Sequence, residues 1–245
     1  MLSKRILVLV ITVMVLAVSC KKDGTSILNS IKPNDFLSSN KYTSLTVEIV
    51  YVNGFKPTTN TVNNLKTFLT QRLNKPEGIT IIEREIASPG NSSYSISDII
   101  SVEKNNRQQQ TEGDNLAVFF FFADSDFSGN SGNSKVLGVQ YDPSSMAMFE
   151  KTIQEFSGGF NQPTKTVLET TVIKHEFGHT LGLVNNGTSI MSEHQDTPNG
   201  KHCDVDDCLM YFTAETSGDL GNLLGGDIPT LDSQCLADLK ANGGK

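Results

Sequence analysis

The sequence predicts an α/β fold, with a sheet packed against one long helix and a smaller, irregular C-terminal part. Three observations predict it. Strand and helix patterns alternate along the chain in the order strand, helix, strand, helix, strand, strand, helix. Leu116 to Ala123 reads Leu-Ala-Val-Phe-Phe-Phe-Phe-Ala, an unbroken apolar run expected at the centre of a sheet covered on both faces. Leu168, Val172, His175 and His179 follow a 4-3-4 spacing, the stripe of a buried helix face.

The first strand is expected over Leu45 to Val52, where β-branched and aromatic residues alternate and Val50 and Val52 part-fill the second face. Asn53-Gly54 is a turn signal. Val62, Leu65, Phe68 and Leu73 have helical spacing, so a helix is expected over 60–73, capped by Asn60 or Thr61 and ended before Pro76. A strand follows over 79–86, then a loop over 88–95 and a helix over 96–102. The polar stretch 103–114 is expected on the surface. Asp114 and Asp124 bracket the apolar strand as charged gatekeepers. A Gly/Ser/Asn loop over 124–134 leads to a short strand, Val136 to Tyr141, placed at an edge. The pattern of 146–156 fits helix or strand. After a loop over 157–163 the long helix runs from about Thr164 to Leu181, and Gly182 stops it in the left-handed conformation. No internal repeat is visible.

Before this domain the chain reads as targeting sequence. Lys4 and Arg5 precede an apolar run, Ile6 to Val18, that is too short to span a bilayer well. The run ends in Leu16-Ala17-Val18-Ser19-Cys20, which resembles a bacterial lipobox. That resemblance implies a lipoprotein signal peptide over 1–19, a lipid on Cys20, and a location in the cell envelope, anchored to the membrane by that lipid alone. Residues 20–41, polar and rich in Ser, Asn and Lys, read as a tether, and 42–245 as one folded domain. The net charge of -7 and the lack of a clustered basic face argue against a nucleic-acid partner. Of four cysteines, Cys203, Cys208 and Cys235 fall in the folded part. A Cys203–Cys208 disulfide and a thiolate metal site using all three are both open.

The chemistry lies in His175-Glu176-Phe177-Gly178-His179, an H-E-x-x-H motif. Two histidines four apart share a helix face one turn from each other, where one tetrahedral zinc can take both imidazoles. Glu176, one residue round, can reach a zinc-bound water without being a ligand, as a general base must. Solvated surface histidines are the alternative. Against it, the pair continues a buried stripe, where unliganded imidazoles would leave polar nitrogens unsatisfied. All four histidines also lie between 175 and 202.

Gly182 extends the motif to H-E-x-x-H-x-x-G, which resembles the metzincin clan of zinc metallopeptidases. There a third histidine follows three residues later; here that position is Asn185. The run His202-Cys203-Asp204-Val205-Asp206-Asp207-Cys208-Leu209-Met210 matches the pattern H-C-x4-C-x-M of archaemetzincins. The resemblance implies a metzincin-like twisted mixed sheet, His202 as third zinc ligand, Met210 as the Met-turn residue beneath the metal, and Tyr211 lining the cleft. Residues 183–201 are then an insertion. The family's downstream C-x-x-C is missing, so a four-cysteine zinc site is not expected. His194 is the rival third ligand, with Asp196 as an orienting neighbour, and an acidic third ligand, Glu193 or Glu215, is a further alternative.

The expected function is that of a zinc-dependent endopeptidase with one catalytic zinc ion, acting on a peptide or protein substrate that pairs with the edge strand near Val136 to Tyr141. A non-catalytic zinc-containing binding lipoprotein is the alternative. A glycan-binding or adhesin-type surface module, suggested by polar composition alone, gives no account of H-E-x-x-H.

Overall fold

The computed structural model describes residues 31–245. The signal-peptide and lipidation readings, and the tether up to residue 30, lie outside them.

A central sheet is sandwiched between helices. In chain order the elements are α1 (Pro33–Leu37), β1 (Ser44–Val52), α2 (Thr59–Arg72), β2 (Gly78–Ile86), β3 (Ser93–Tyr94), α3 (Ile96–Asn106), β4 (Asn115–Phe122), β5 (Asp126–Phe127), β6 (Gly138–Asp142), β7 (Ser145–Met148), α4 (Glu150–Glu155), α5 (Lys165–Thr180) and α6 (Ser233–Ala241). The sheet order is β2-β1-β4-β7-β6. All neighbours are parallel except β6, which runs antiparallel to β7 at the edge. The mixed α/β architecture expected from the sequence is the one found. The open segment 146–156 divides into strand β7 and helix α4.

Strand alternation builds the two cores. Leu116, Val118, Phe120 and Phe122 of β4 face α2 and α5, together with Leu45, Val47 and Ile49 of β1. Phe119, Phe121 and Ala123 face the other way, toward Ile99 and Val102 of α3. Every one of these side chains is buried, and each large one contributes about 1.5–3 kcal/mol relative to exposure. Glu48, in the middle of β1, is also buried. Its carboxylate is satisfied by the backbone N–H groups of Gln108 and Gln109 at 2.9 and 2.8 Å and by the Arg84 guanidinium at 2.8 Å.

Two expectations need correction. The polar stretch 103–114 is not simply exposed. Helix α3 continues to Asn106, and Arg107 is buried between Glu103, at 2.6 Å, and the Ala117 carbonyl, at 2.8 Å. Polar residues were read as surface, but here they satisfy one another and the buried Glu48. Residues 31–41 are not a tether either. Phe36 and Leu37 of α1 are fully buried, and the Phe36 ring meets Phe177 of α5 edge-on at 6.0 Å. The folded unit therefore begins before residue 42.

Lys75 fastens this segment. Its ammonium donates to the carbonyls of Asp35, Ser38 and Tyr42 at 2.8, 2.6 and 2.7 Å. Lys75→Ala leaves three carbonyls without their charged donor and is expected to cost about 2–4 kcal/mol, read as a lower urea midpoint at unchanged slope. An unaltered midpoint would show that the segment is held by its apolar contacts alone.

Candidate metal centre

Helix α5 carries the motif through the protein's interior. Thr164 caps its start, its side chain accepting the Val167 N–H at 3.3 Å. Every residue of the helix except Lys165, Thr166 and Lys174 is buried. Phe177 packs on Phe120 of the central strand as well as on Phe36. The helix ends at Gly182 with φ +73°, where a Cβ would lie 2.6 Å from Pro33 and 2.7 Å from the Thr188 nitrogen. A side chain is excluded there both by conformation and by space.

Three imidazoles meet beside this helix. His175 Nε2 and His179 Nε2 are 3.1 Å apart, and the His202 ring stacks at 5.2 Å from that of His175 and meets that of His179 edge-on at 5.1 Å. Their protons are assigned by their partners. His175 Nδ1 lies 2.7 Å from the Leu209 carbonyl and His202 Nδ1 2.6 Å from the Asn199 carbonyl. A carbonyl only accepts, so both Nδ1 atoms donate and both Nε2 atoms turn lone pairs inward. Glu215 Oε1 is 2.9 Å from His179 Nε2, 3.0 Å from His202 Nε2 and 3.5 Å from His175 Nε2. His202 Nε2 is buried with no hydrogen bond even so, since distance alone does not supply a donor. The bare nitrogens of His175 and His202, turned toward His179 and a carboxylate, fit a cation, and imidazole nitrogens suit zinc.

The two shifted rings differ: burial lowers His202, but the Glu215 carboxylate facing it outweighs that and raises its pKa. Burial pushes His179 down to about 4, against the pull of Glu215, so its ring is unprotonated at neutral pH. Glu176 is buried, and burial followed by the charge of Glu215 raises its pKa well above the carboxylate range. One of its oxygens, Oε1, has no partner.

Met210 is fully buried against the same helix, where a Cβ on Gly178 would fall 2.2 Å from its sulfur. Gly178 leaves the space that Met210 fills, between the two histidine turns. Next to His179 opens a cleft of about 320 Å³, lined by Lys32, Phe36, Gln140, Tyr141 and Asp142. The edge strand β6 is thus one wall and the N-terminal segment another. Tyr211 does not line this cleft. It lines a separate hollow with Thr171, Asp206 and Leu223, its ring tilted against Phe212. The 3-10 turn Phe212–Glu215 that begins just after it directs Glu215, rather than Tyr211, to the histidines.

The rival histidine is elsewhere. His194 Nε2 bonds Asp238 of α6 at 2.8 Å, with both side chains wholly buried, so Asp196 is not its orienting neighbour. Its Nδ1 faces sulfur, 3.4 Å from Cys203 and 3.9 Å from Cys235. Cys208 Sγ is 3.7 Å from Cys235 Sγ, and all three thiols are free, so the Cys203–Cys208 disulfide is absent. Donor atoms of His194, Cys203, Asp232 and Cys235 lie within 4.8 Å of one another. Thiolates plus an imidazole whose other nitrogen is fixed by a carboxylate could hold a closed, structural zinc. Sequence reasoning missed Asp232 and Asp238, which carry no motif of their own. Asn185, at the position expected for a histidine, points to Gln195 at 3.3 Å, and the excursion 183–201 returns the chain at His202.

Gly138 sets how closely the edge strand approaches the centre. A Cβ there would lie 2.6 Å from Val172 Cγ1 and 2.9 Å from Glu176 Cγ. Gly138→Ala is expected to lift β6 from α5 and cost about 1–3 kcal/mol in urea unfolding, because Val172 is stiff and buried. Wild-type stability would mean that the strand accommodates a methyl group.

No family model matches the chain, and no curated protein matches it. Among solved structures it is similar to archaemetzincin from Methanopyrus kandleri, with a TM-score of 0.51 and 14% sequence identity over 82% of this chain and 96% of that one. At that identity the likeness establishes the fold, an archaemetzincin-like mixed sheet with its flanking helices.

Proposed function

We propose that this protein is a zinc-dependent endopeptidase. The observation that carries the reading is the convergence of the His175, His179 and His202 Nε2 atoms, with the lone pairs of His175 and His202 turned inward, beside a buried glutamate whose free oxygen has no partner. His175, His179 and His202 would hold the ion, His175 and His202 oriented by the Leu209 and Asn199 carbonyls behind them. A zinc ion bound there would supply Lewis acidity, making water more acidic and stabilising negative charge on a peptide carbonyl. Glu176 is the base that removes a proton from the attacking water and hands it to the leaving amine. The exposed edge of β6 would pair with an extended peptide backbone and set it across the cleft. His194 with the cysteines would form a second, structural ion site, apart from the chemistry.

One observation favours the alternative of a non-catalytic zinc protein: Glu215 already stands on the side of the histidines where water would sit. Metal analysis with a peptide-library assay separates the two. Wild type should carry two metal equivalents and cleave. Glu176→Gln should keep both and lose at least ~10²-fold in kcat/KM, His202→Ala should lose the catalytic equivalent, and Cys235→Ser should lose only the other. Full cleavage by Glu176→Gln would refute the role of the base, and zinc without cleavage in wild type would favour the alternative.

Attachment to the cell envelope through a lipid on Cys20 is proposed from residues 4–20 alone. Cys20→Ser should move the protein from the membrane fraction to the soluble one; an unchanged distribution would dismiss the anchor.

A further inference from the structure

His175, His179, His202 and Glu176 fill the roles of three ligands and a base and leave Glu215 without a part, except as a substitute for a histidine. The geometry gives it a different one. Imidazole nitrogens about 2.0–2.1 Å from a tetrahedral zinc stand about 3.3 Å from one another, and a carboxylate oxygen at the fourth vertex stands a similar distance from each. Glu215 Oε1 is 2.9, 3.0 and 3.5 Å from the three Nε2 atoms, and the His175–His179 separation is 3.1 Å. These four distances match edges of such a tetrahedron. An oxygen at its centre would lie much closer to all three nitrogens. Hydrogen bonding accounts for the contact of Glu215 with His179 but not for those with His175 and His202. The Nδ1 protons of His175 and His202 are already given to carbonyls, so donation from Nε2 would need both rings doubly protonated, with two buried cations stacked 5.2 Å apart.

We propose that Glu215 is a fourth protein ligand that closes the metal's open position, and that substrate displaces it. The inference rests on the metallopeptidase reading and concerns its regulation. The position of Glu215 is set by its own backbone. Its carbonyl accepts the Leu137 N–H at 2.8 Å, the Ser217 N–H donates to the Lys135 carbonyl at 2.8 Å, and Val136 and Thr216 form an antiparallel bridge. The segment carrying Glu215 therefore pairs with residues 135–137, which lead directly into edge strand β6. An extended peptide that pairs along this edge competes for the same backbone groups. It would peel the segment away and withdraw the carboxylate with it. The turn Phe212–Glu215 has no fully buried residue, so little apolar contact holds it shut.

The test uses the full chain loaded with cobalt(II) and acetohydroxamate, a small bidentate metal ligand, as the probe of the open position. The hydroxamate is followed through the cobalt visible bands; a thiolate-bound cobalt, with its near-ultraviolet sulfur absorption, is read separately. Glu215→Ala and the near-isosteric Glu215→Gln are each expected to bind cobalt at the histidines at least ~10-fold more weakly in chelator competition and the hydroxamate at least ~10-fold more tightly than wild type, by analogy with the size of effects around metal sites. Hydroxamate affinity equal to wild type in both variants overturns the closed position, whatever happens to cobalt affinity. Wild type that takes up no cobalt at the histidines overturns the metallopeptidase reading itself, and this proposal with it.

Discussion

Everything at the centre of this protein depends on nitrogen lone pairs made to face each other. His175 and His202 each give their one proton to a backbone carbonyl, of Leu209 and Asn199, and the bare nitrogens turn inward to within a few ångströms of His179 and Glu215. In a buried place such an arrangement is unfavourable by itself, because unsatisfied acceptors repel and have lost their water. A divalent cation reverses the sign of each of those interactions at once. The surrounding fold can be understood as the frame that keeps the acceptors converged.

That frame is layered round one helix. The Phe120 and Phe36 rings fix Phe177, the Met210 sulfur fills the space left by Gly178, and Gly138 lets the edge strand come down onto Glu176. Each contact lies on a different side of α5, so the helix has little freedom to roll or slide. Because the two motif histidines are rigidly part of it, their separation is inherited from helix geometry, and only His202 has to be brought in from a loop. The loop is itself tied down, with the Cys203 N–H bonded to the Met210 carbonyl and the Asp196 N–H to the His202 carbonyl.

Much of this was legible in the sequence, where short-range patterns carry the information. The central strand is an apolar run, the motif helix a periodic one, and His202 is marked by the cysteine and methionine that follow it. What could not be read depends on partners far apart in the chain. Phe36 and Leu37 are two apolar residues in a polar stretch, and nothing local says that they meet Phe177. Arg107 looks like a surface residue until Glu103 and the Ala117 carbonyl close over it. His194 competed with His202 as a ligand because sequence proximity favoured it, while its true neighbours, Asp238 and Cys235, come from the last helix. Glu215 was visible as a carboxylate but not as one vertex of the donor set, since its place is set by pairing with residues 135–137.

The burial of α1 bears on how the protein is handled in the laboratory. Composition suggests starting a recombinant fragment near residue 42, after the polar stretch. Such a fragment would lack Pro33, which abuts the Gly182 turn, and Phe36, and would lose one wall of the cleft beside His179. A truncated preparation found inactive or poorly soluble would then reveal a missing brace and nothing about the chemistry, so useful expression boundaries lie upstream of Ile31.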